Sequence, residues 1–464
     1  MGLMGWVNIW SGTPWVSHAL SVASFILTLA LAGSLVRGRR QPGATIAWLL
    51  VIVLVPYLGI PLYFGLAGRK LSRTASRKSK LIVRAEPPEG ETAVERLLRN
   101  SGIAAPCVGN QVQLLPDGVG AYEAILRIID QAKRTLFIET FILGNDAVGA
   151  AILAALTEKA RGGVEVRLLL DGFGSFWANR RAIRQLRRAG GRVASFLPLF
   201  HLPFRGHANL RDHRKILVAD QTIALVGGMN LATEYLGPAP DLGRWTDLGL
   251  LLRGPAVAHV AEIGSADWEF ASGERVAKGK VPREEVQNGR VQIVPSGPDV
   301  LRDSLYEAIL LSIYEAKERV WIATPYFIPD ESLTRALELA CRRGVDVRIL
   351  VPRRSNHLLA DFSRASYLRQ IEAAGGKIFC APKMLHAKAN VFDRTCAVVG
   401  SANMDMRSLF LNFEICLFLS TPASVDEVAA WFSGLWPVAT LGYPKGHWGG
   451  GTLEGIARIL GPML

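Results

Sequence analysis

The chain repeats itself once, at long period, and any fold it adopts must use the same unit twice. Ala132-Lys133 ahead of the apolar run Leu136-Phe137-Ile138-Glu139-Thr140-Phe141-Ile142 is matched by Ala316-Lys317 ahead of Val320-Trp321-Ile322-Ala323-Thr324-Pro325-Tyr326-Phe327-Ile328. Gly163-Val164-Glu165-Val166-Arg167 then parallels Gly344-Val345-Asp346-Val347-Arg348, and Arg188-Ala189-Gly190-Gly191 parallels Ala373-Ala374-Gly375-Gly376. Solenoid units recur at roughly 20–50 residues, far below this spacing, so the repeat is a domain-sized unit. Within each copy, short β-rich runs alternate with amphipathic stretches such as Ala150–Arg161 and Leu333–Arg343. That alternation predicts α/β: a mixed sheet covered by helices, built as two similar lobes.

Each copy closes on the pattern His-x-Lys-x-x-x-x-Asp: His213, Lys215 and Asp220 in the first, His386, Lys388 and Asp393 in the second. Both are followed by a small-residue turn ending in Asn, Gly227-Gly228-Met229-Asn230 and Gly400-Ser401-Ala402-Asn403. The motifs fall in β-type runs, 214–218 and 387–392. On a strand, positions i and i+2 share a face, so each His and Lys are expected to project together. One imidazole can attack phosphorus and the other can protonate the departing alkoxide. Lys215, Lys388, Asn230 and Asn403, with Ser401 in support, are candidates to hold the non-bridging oxygens, and this chemistry requires no metal or other cofactor. Each His needs an acceptor on its other ring nitrogen, and Asp247 and Glu414 are the downstream candidates. Asp220 and Asp393 belong to the candidate catalytic sets by pattern and are expected mainly to hold the turn after the strand. A Ser nucleophile has no supporting elbow motif. His18, His201, His207, His259, His357 and His447 lack a partner pattern and are expected to be structural or solvated.

The N-terminus carries a different signal. No Lys, Arg, Asp or Glu occurs before Arg37, and two uncharged stretches, about 15–36 and 43–68, flank a loop holding Arg37, Arg39 and Arg40. Each approaches the roughly 20 residues of a spanning helix, so residues 1–68 are expected to form a membrane hairpin, kinked at Pro56 and Pro61. The larger basic cluster, Arg69, Lys70, Arg73, Arg77, Lys78, Lys80 and Arg84, places the following lobes on the cytoplasmic side, against anionic headgroups. The expected organisation is a basic linker over 69–108, lobe 1 over 109–270, a connection over 271–290 and lobe 2 over 291–464. The run 453–464 has apolar residues at helical spacing and is expected to pack on lobe 2 or touch the membrane. A net charge of +13 fits a polyanionic partner without choosing one. The five scattered cysteines show no ligand or disulfide spacing and are expected to be reduced thiols.

These residues resemble the phospholipase D superfamily, and within it the bacterial two-span cardiolipin synthases. The resemblance extends through Thr45–Leu50, Pro56–Gly59, Leu114–Gly118, Val294–Pro298, Thr324–Phe327, Leu385–Lys388, Asp405, Arg407, Ser408 and Leu411–Glu414. It implies two α/β lobes with the active site at their interface. It also implies transfer of a phosphatidyl group between two phosphatidylglycerols through a phosphohistidine, with His213 as nucleophile and His386 as general acid and base. Location in the bacterial cell membrane follows from the same resemblance. A hydrolytic phospholipase D and a transferase using phosphatidylethanolamine as donor remain alternatives. The two spans count against a nuclease, so nucleic acid is not the expected partner, and intact motifs count against a non-catalytic scaffold. Two departures stand out: Glu139-Thr140-Phe141-Ile142 lacks the family's aromatic pair after Glu, and Asp212 precedes His213 where Asn is expected. Asp212 is expected to point away from His213, on the opposite face.

Overall fold

The computed structural model describes residues 22, 26, 33, 49–55, 59, 89–198, 210–276, 285–300 and 302–444. The chain divides into two compact units: residues 1–68 with 202–209, and residues 69–201 with 210–464. In the first, residues 49–54 are helical, with Leu50, Val53 and Leu54 exposed and Ile52 buried. Most of the two expected spans, the basic cluster 69–84 and the run 453–464 lie outside the described residues. Among the described residues no helix is long and apolar enough to cross a membrane.

The second unit holds both copies of the repeat. After α1 (Ala93–Asn100), the first lobe runs β1 (Cys107–Leu115), α2 (Gly118–Gln131), β2 (Thr135–Thr140), α3 (Ala147–Arg161), β3 (Glu165–Asp171), α4 (Arg180–Arg188), β4 (Arg192–Phe196), β5 (Ile216–Ala219), β6 (Ile223–Gly227), β7 (Gly249–Arg253) and α5 (Val257–Ser272). The second runs β8 (Gly289–Ser296), α6 (Ser304–Glu315), β9 (Arg319–Ala323), β10 (Phe327–Ile328), α7 (Glu331–Arg342), β11 (Asp346–Pro352), α8 (Leu358–Ala373), β12 (Lys377–Ala381), β13 (Ala389–Phe392), β14 (Cys396–Gly400), β15 (Met404–Asp405), α9 (Met406–Phe410) and β16 (Glu414–Leu419). α10 (Pro422–Leu435) and β17 (Thr440–Leu441) follow.

Strand order makes the repeat physical. The first lobe pairs as β4-β3-β2-β5-β6-β7-β1 and the second as β12-β11-β9-β13-β14-β16-β8. In each, three parallel strands continue into antiparallel ones. The halves join through an antiparallel β1–β8 contact whose register shifts between Cys107 and Asn110. Side-chain alternation then feeds two cores at once: on β5, Leu217 and Ala219 face the first lobe's outer helices, while Ile216 and Val218 enter a central core. That central core also takes Leu250, Val257, Leu385, Ala387, Val391, Leu417 and Phe432, so both lobes bury surface against each other.

Side-chain caps start the helices that flank the site. Asp117 accepts from Val119 N and Gly120 N before α2, and Asp330 accepts from Leu333 N before α7. Asp146 caps α3 through Gly149 N and also accepts from Thr233 N, tying that helix to the turn after Asn230. The stretch read as a linker is not featureless. It contains α1, opened by a Thr92–Glu95 capping box. Glu95 pairs with Arg290 at 2.6 Å, and Val94 and Leu98 sit in the second lobe's core, so a segment preceding lobe 1 docks on lobe 2. The connection expected over 271–290 is shorter at both ends, since α5 reaches Ser272 and β8 begins at Gly289.

Candidate active site

The His-x-Lys segments lie just ahead of their strands. β5 begins at Ile216 and β13 at Ala389, so His213, Lys215, His386 and Lys388 occupy extended lead-ins. These lead-ins pair with the opposite lobe. His213 N donates to Phe413 O at 2.9 Å and Phe413 N donates to Arg211 O at 2.9 Å. Symmetrically, His386 N donates to Thr246 O at 2.7 Å and Thr246 N donates to Met384 O at 2.9 Å. Leaving the sheet of its own lobe is what frees each lead-in to make these bonds.

Each histidine therefore meets a carboxylate from the other lobe. Nδ1 of His213 lies 3.0 and 3.1 Å from the oxygens of Glu414, and Nδ1 of His386 lies 2.7 Å from Oδ2 of Asp247. Both contacts fix Nδ1–H as the tautomer, which turns Nε2 into the reacting nitrogen. Ser401 donates to Glu414 through its hydroxyl and accepts from Ile415 N at 3.0 Å. Ser401, a candidate phosphate contact by sequence, instead sets its hydroxyl on the carboxylate of Glu414. The glycine before Met229 has a steric reason too, because a Cβ at Gly228 would collide with Oδ1 of Asp247.

The lysines sit against the histidines. Lys215 Nζ donates to His213 O at 2.7 Å and lies 5.5 Å from the Phe141 ring. Lys388 Nζ lies 2.8 and 3.1 Å from the two ring nitrogens of His386 and also donates to its carbonyl. Aromatic edges wall the imidazoles: Phe141 stands 5.1 Å from His213, and Tyr235 and Trp245 stand 4.9 and 5.6 Å from His386. Asn230 accepts from Ile142 N at 3.2 Å, while its buried Nδ2 and the buried Oδ1 of Asn403 have no partner within hydrogen-bond distance.

Burial governs protonation here. It pushes His213 well below the usual imidazole range, helped by Lys215 and Lys388, and with Lys388 it takes His386 down to about 3. Burial likewise lowers Lys215 to about 8 and Lys388 to about 7, and raises Glu414 to about 7 against the pull of Lys215. At Asp247 burial alone would raise the carboxyl, but His386 and Lys388 outweigh it and hold the group below its usual range. An ionised Asp247 beside a histidine of lowered affinity for protons describes a neutral imidazole donating Nδ1–H to a carboxylate.

The motif aspartates are elsewhere. Asp220 and Asp393 sit at the far ends of β5 and β13, both at φ +51°, and accept the backbone amides of Lys133, Arg134 and Thr135, and of Lys317, Glu318 and Arg319. At about 3.3 Å per residue, the seven residues from His213 to Asp220 keep that carboxylate some 20 Å from the histidines. Both are turn staples and take no part in the pocket.

Behind His213 lies a set of residues that pattern reading did not find. Arg214 is fully buried and donates to Asp267 at 2.6 Å, Glu414 O at 3.0 Å and Ser296 O at 3.2 Å. The Oδ1 of Asp212 accepts from Arg214 N at 3.1 Å, and its negative charge bears on the buried carboxyl of Glu139. Burial, then Asp267, raises Asp212 to about 8, and burial with Asp212 raises Glu139 as well. The readable signal was an inequality between the motifs, Arg214 in one and Ala387 in the other.

Two α/β lobes of equal strand order, each giving a His-x-Lys to one pocket, define a phospholipase D-like protein. The family described as "Cardiolipin synthase, PLD-like domain" matches residues 125–259 and 309–436, and "Phospholipase_D-nuclease N-terminal" matches 26–66. A cardiolipin synthase of Halalkalibacterium halodurans is 33% identical, with 98% of this chain and 96% of that protein covered. Cardiolipin synthase A of Pseudomonas aeruginosa is 34% identical over 84% of each. The crystal structure of phosphatidylserine synthase from Haemophilus influenzae shares the fold, with a TM-score of 0.59 at 15% identity over 80% of this chain and 100% of that one. The chain belongs to the cardiolipin synthase family of phospholipase D-like proteins.

Proposed function

We propose that the enzyme transfers a phosphatidyl group from one phosphatidylglycerol to another, giving cardiolipin and glycerol. The observation that carries this is the crossed pairing, which gives two imidazoles in one pocket, each with Nδ1 held by a carboxylate and Nε2 left for chemistry. In the first step, with His386 protonated on Nε2 as the phosphodiester binds, Nε2 of His213 attacks phosphorus, the P–O bond to glycerol breaks, and His386 gives that proton to the leaving oxygen. Lys388 against the ring of His386 makes that proton easier to give, which supports the donor role for His386. In the second step His386 takes the proton from a hydroxyl of the incoming phosphatidylglycerol, whose oxygen displaces His213. In this reading Lys215 and Lys388, with the amides of Asn230 and Asn403, hold the phosphoryl oxygens as their charge grows, and the buried Asn230 Nδ2 without a hydrogen-bond partner supports it.

The same reading anchors the protein in the membrane by a hairpin over about 15–36 and 43–68, with the lobes on the cytoplasmic side. The N-terminal family match and the basic cluster 69–84 support it. Phosphatidylglycerol vesicles incubated with the full chain and a chelator are expected to yield cardiolipin and glycerol, resolved by chromatography. Phosphatidic acid without cardiolipin would replace the transferase by a hydrolase. A phosphatidyl adduct trapped on His386 and not on His213 would reverse the two roles.

A further inference from the structure

We propose that the rim of the active site is itself a bilayer-docking surface, built from loops that the two lobes contribute in equivalent positions; this rests on the lipid reading above and names how the lobes engage the lipid. The loop after β3 exposes Phe173 and Trp177, the latter 81% accessible. Its counterpart after β11 leads into α8, whose first turns expose Leu358, Leu359 and Phe362, with Leu358 at 73%. A third loop, ending in Trp245 beside His386, exposes Leu242 at 85%. Large apolar side chains at loop tips are unfavourable in water unless something covers them.

Two of these segments are tied by contacts to residues of the site. Ser175, in the loop after β3, donates to Phe141 O at 2.8 Å, and Phe141 packs on His213. Phe173 lies under Arg211, two residues before His213. On the other lobe, Tyr326 bonds Asn356 at 2.5 Å and packs on His357, immediately before Leu358. The loops after β3 and β11 follow equivalent strands of the two lobes, and the contacts of Phe173 with Arg211 and of Ser175 with Phe141 hold the first of them beside the lead-in of His213.

Charge selects the partner. From Gly172 to Arg192 the chain has no Asp or Glu, and α4 exposes Arg180, Arg181, Arg184, Arg187 and Arg188. In the other lobe Arg353 and Arg354 are exposed beside Leu358, and the neighbouring Asp361 is paired with Arg364 at 2.8 Å. The two apolar segments backed by arginines suit an anionic lipid surface, their side chains entering the acyl boundary and the guanidinium groups meeting headgroup phosphates. The substrate requires such contact, because the phosphodiester lies at the headgroup level while its acyl chains stay in the bilayer.

Nitroxides placed by Trp177→Cys and Leu358→Cys in the full chain, reconstituted into phosphatidylglycerol-containing bilayers, test this, with Gln287→Cys at the β1–β8 junction as control and the unsubstituted chain as background for native thiols. Oxygen accessibility is expected to rise and that of a water-soluble nickel chelate to fall at 177 and 358, relative to 287. Equal nickel accessibility at all three sites would overturn the proposal, and protection from both reagents would mean a protein partner and overturn it too. The combined Trp177→Ser and Leu358→Ser variant is expected to raise the KM for vesicle phosphatidylglycerol about tenfold with a smaller change in kcat. An equal rise with detergent-dispersed lipid would place these residues in an acyl-chain pocket instead. The depth measurement needs no turnover, so it stands or falls apart from the assigned reaction.

Discussion

Binding of a phosphate-like anion should draw a proton into the site. With the protein's own charges, burial and Lys388 bring His386 to about 3 and burial with both lysines keeps His213 low, so neither imidazole is a proton donor near neutrality. A phosphodiester adds the negative charge that the pocket's own groups leave uncompensated. One unit charge about 4 Å from an imidazolium, at an effective dielectric near 20, contributes on the order of 4 kcal/mol. That is about three decades in proton affinity, enough to carry His386 from about 3 toward the range in which a general acid works. The assay is calorimetric titration of the full chain with tungstate or inorganic phosphate at about pH 6, in buffers of different ionisation enthalpy. The expected result is net uptake approaching one proton per anion bound, abolished in His386→Ala, with affinity falling as pH rises and Lys388 (about 7) and Lys215 (about 8) also lose their charge. Anion binding with no proton uptake, or uptake unchanged in His386→Ala, would refute the reasoning.

Glu414→Gln and Asp247→Asn should each lower kcat on the order of 10²- to 10⁴-fold, and differently. Glu414→Gln impairs formation of the phosphohistidine on His213, whereas Asp247→Asn impairs proton transfer through His386 at both steps, so rapid-quench measurement of the adduct should separate them; identical adduct kinetics would argue against crossed roles. Asp220→Ala and Asp393→Ala each remove an acceptor of three backbone amides and leave alanine at φ +51°, so thermal or denaturant unfolding should show a loss on the order of 2–3 kcal/mol while the kcat of folded enzyme changes little. The Asp212–Glu139 pair makes stability fall with pH: its folded affinity for protons is raised, to about 8 for Asp212, so between about pH 4 and 8 the native state holds more protons than the unfolded chain. Asp212→Asn should therefore stabilise the protein increasingly from pH 5 to pH 8 in denaturant titrations, and a pH-independent difference would refute the raised proton affinity of Asp212.

Much of this architecture could be read from the chain because local patterns decide it. The paired runs at Leu136 and Val320, and at Val164 and Val345, fix equivalent strands by periodicity, and equal strand order in the two lobes follows from equal sequence order. The two His-x-Lys segments announce themselves for the same reason. Glu414 and Asp247 were readable as acceptors, but not which histidine each would serve, since that depends on the lead-ins leaving their own sheets to pair across the interface. The docking of α1 on the far lobe was equally invisible, because Glu95 and Arg290 are distant in sequence and neither sits in a motif.

The least legible part is the asymmetry behind His213. The lobes look equivalent at the motif level, yet the middle position is Arg214 in one and Ala387, buried in the central core, in the other. Arg214 binds the carbonyl of Glu414 and thereby ties the lead-in of His213 to the strand carrying its carboxylate, while Asp267 and Asp299 neutralise the guanidinium. Burial alone would lower the proton affinity of Arg214, but those two carboxylates outweigh it, so the cation is held firmly. Replacing one partner of such a buried pair typically costs about 3–5 kcal/mol, because the remaining charges stay buried without compensation. A repeat that began as two copies thus has both histidines paired across the lobes, with a buried arginine added behind His213 and a core alanine in the matching place beside His386. An attacking nitrogen must hold its line to phosphorus through both steps, whereas a proton donor tolerates adjustment, and the added arginine lies on the side assigned to attack.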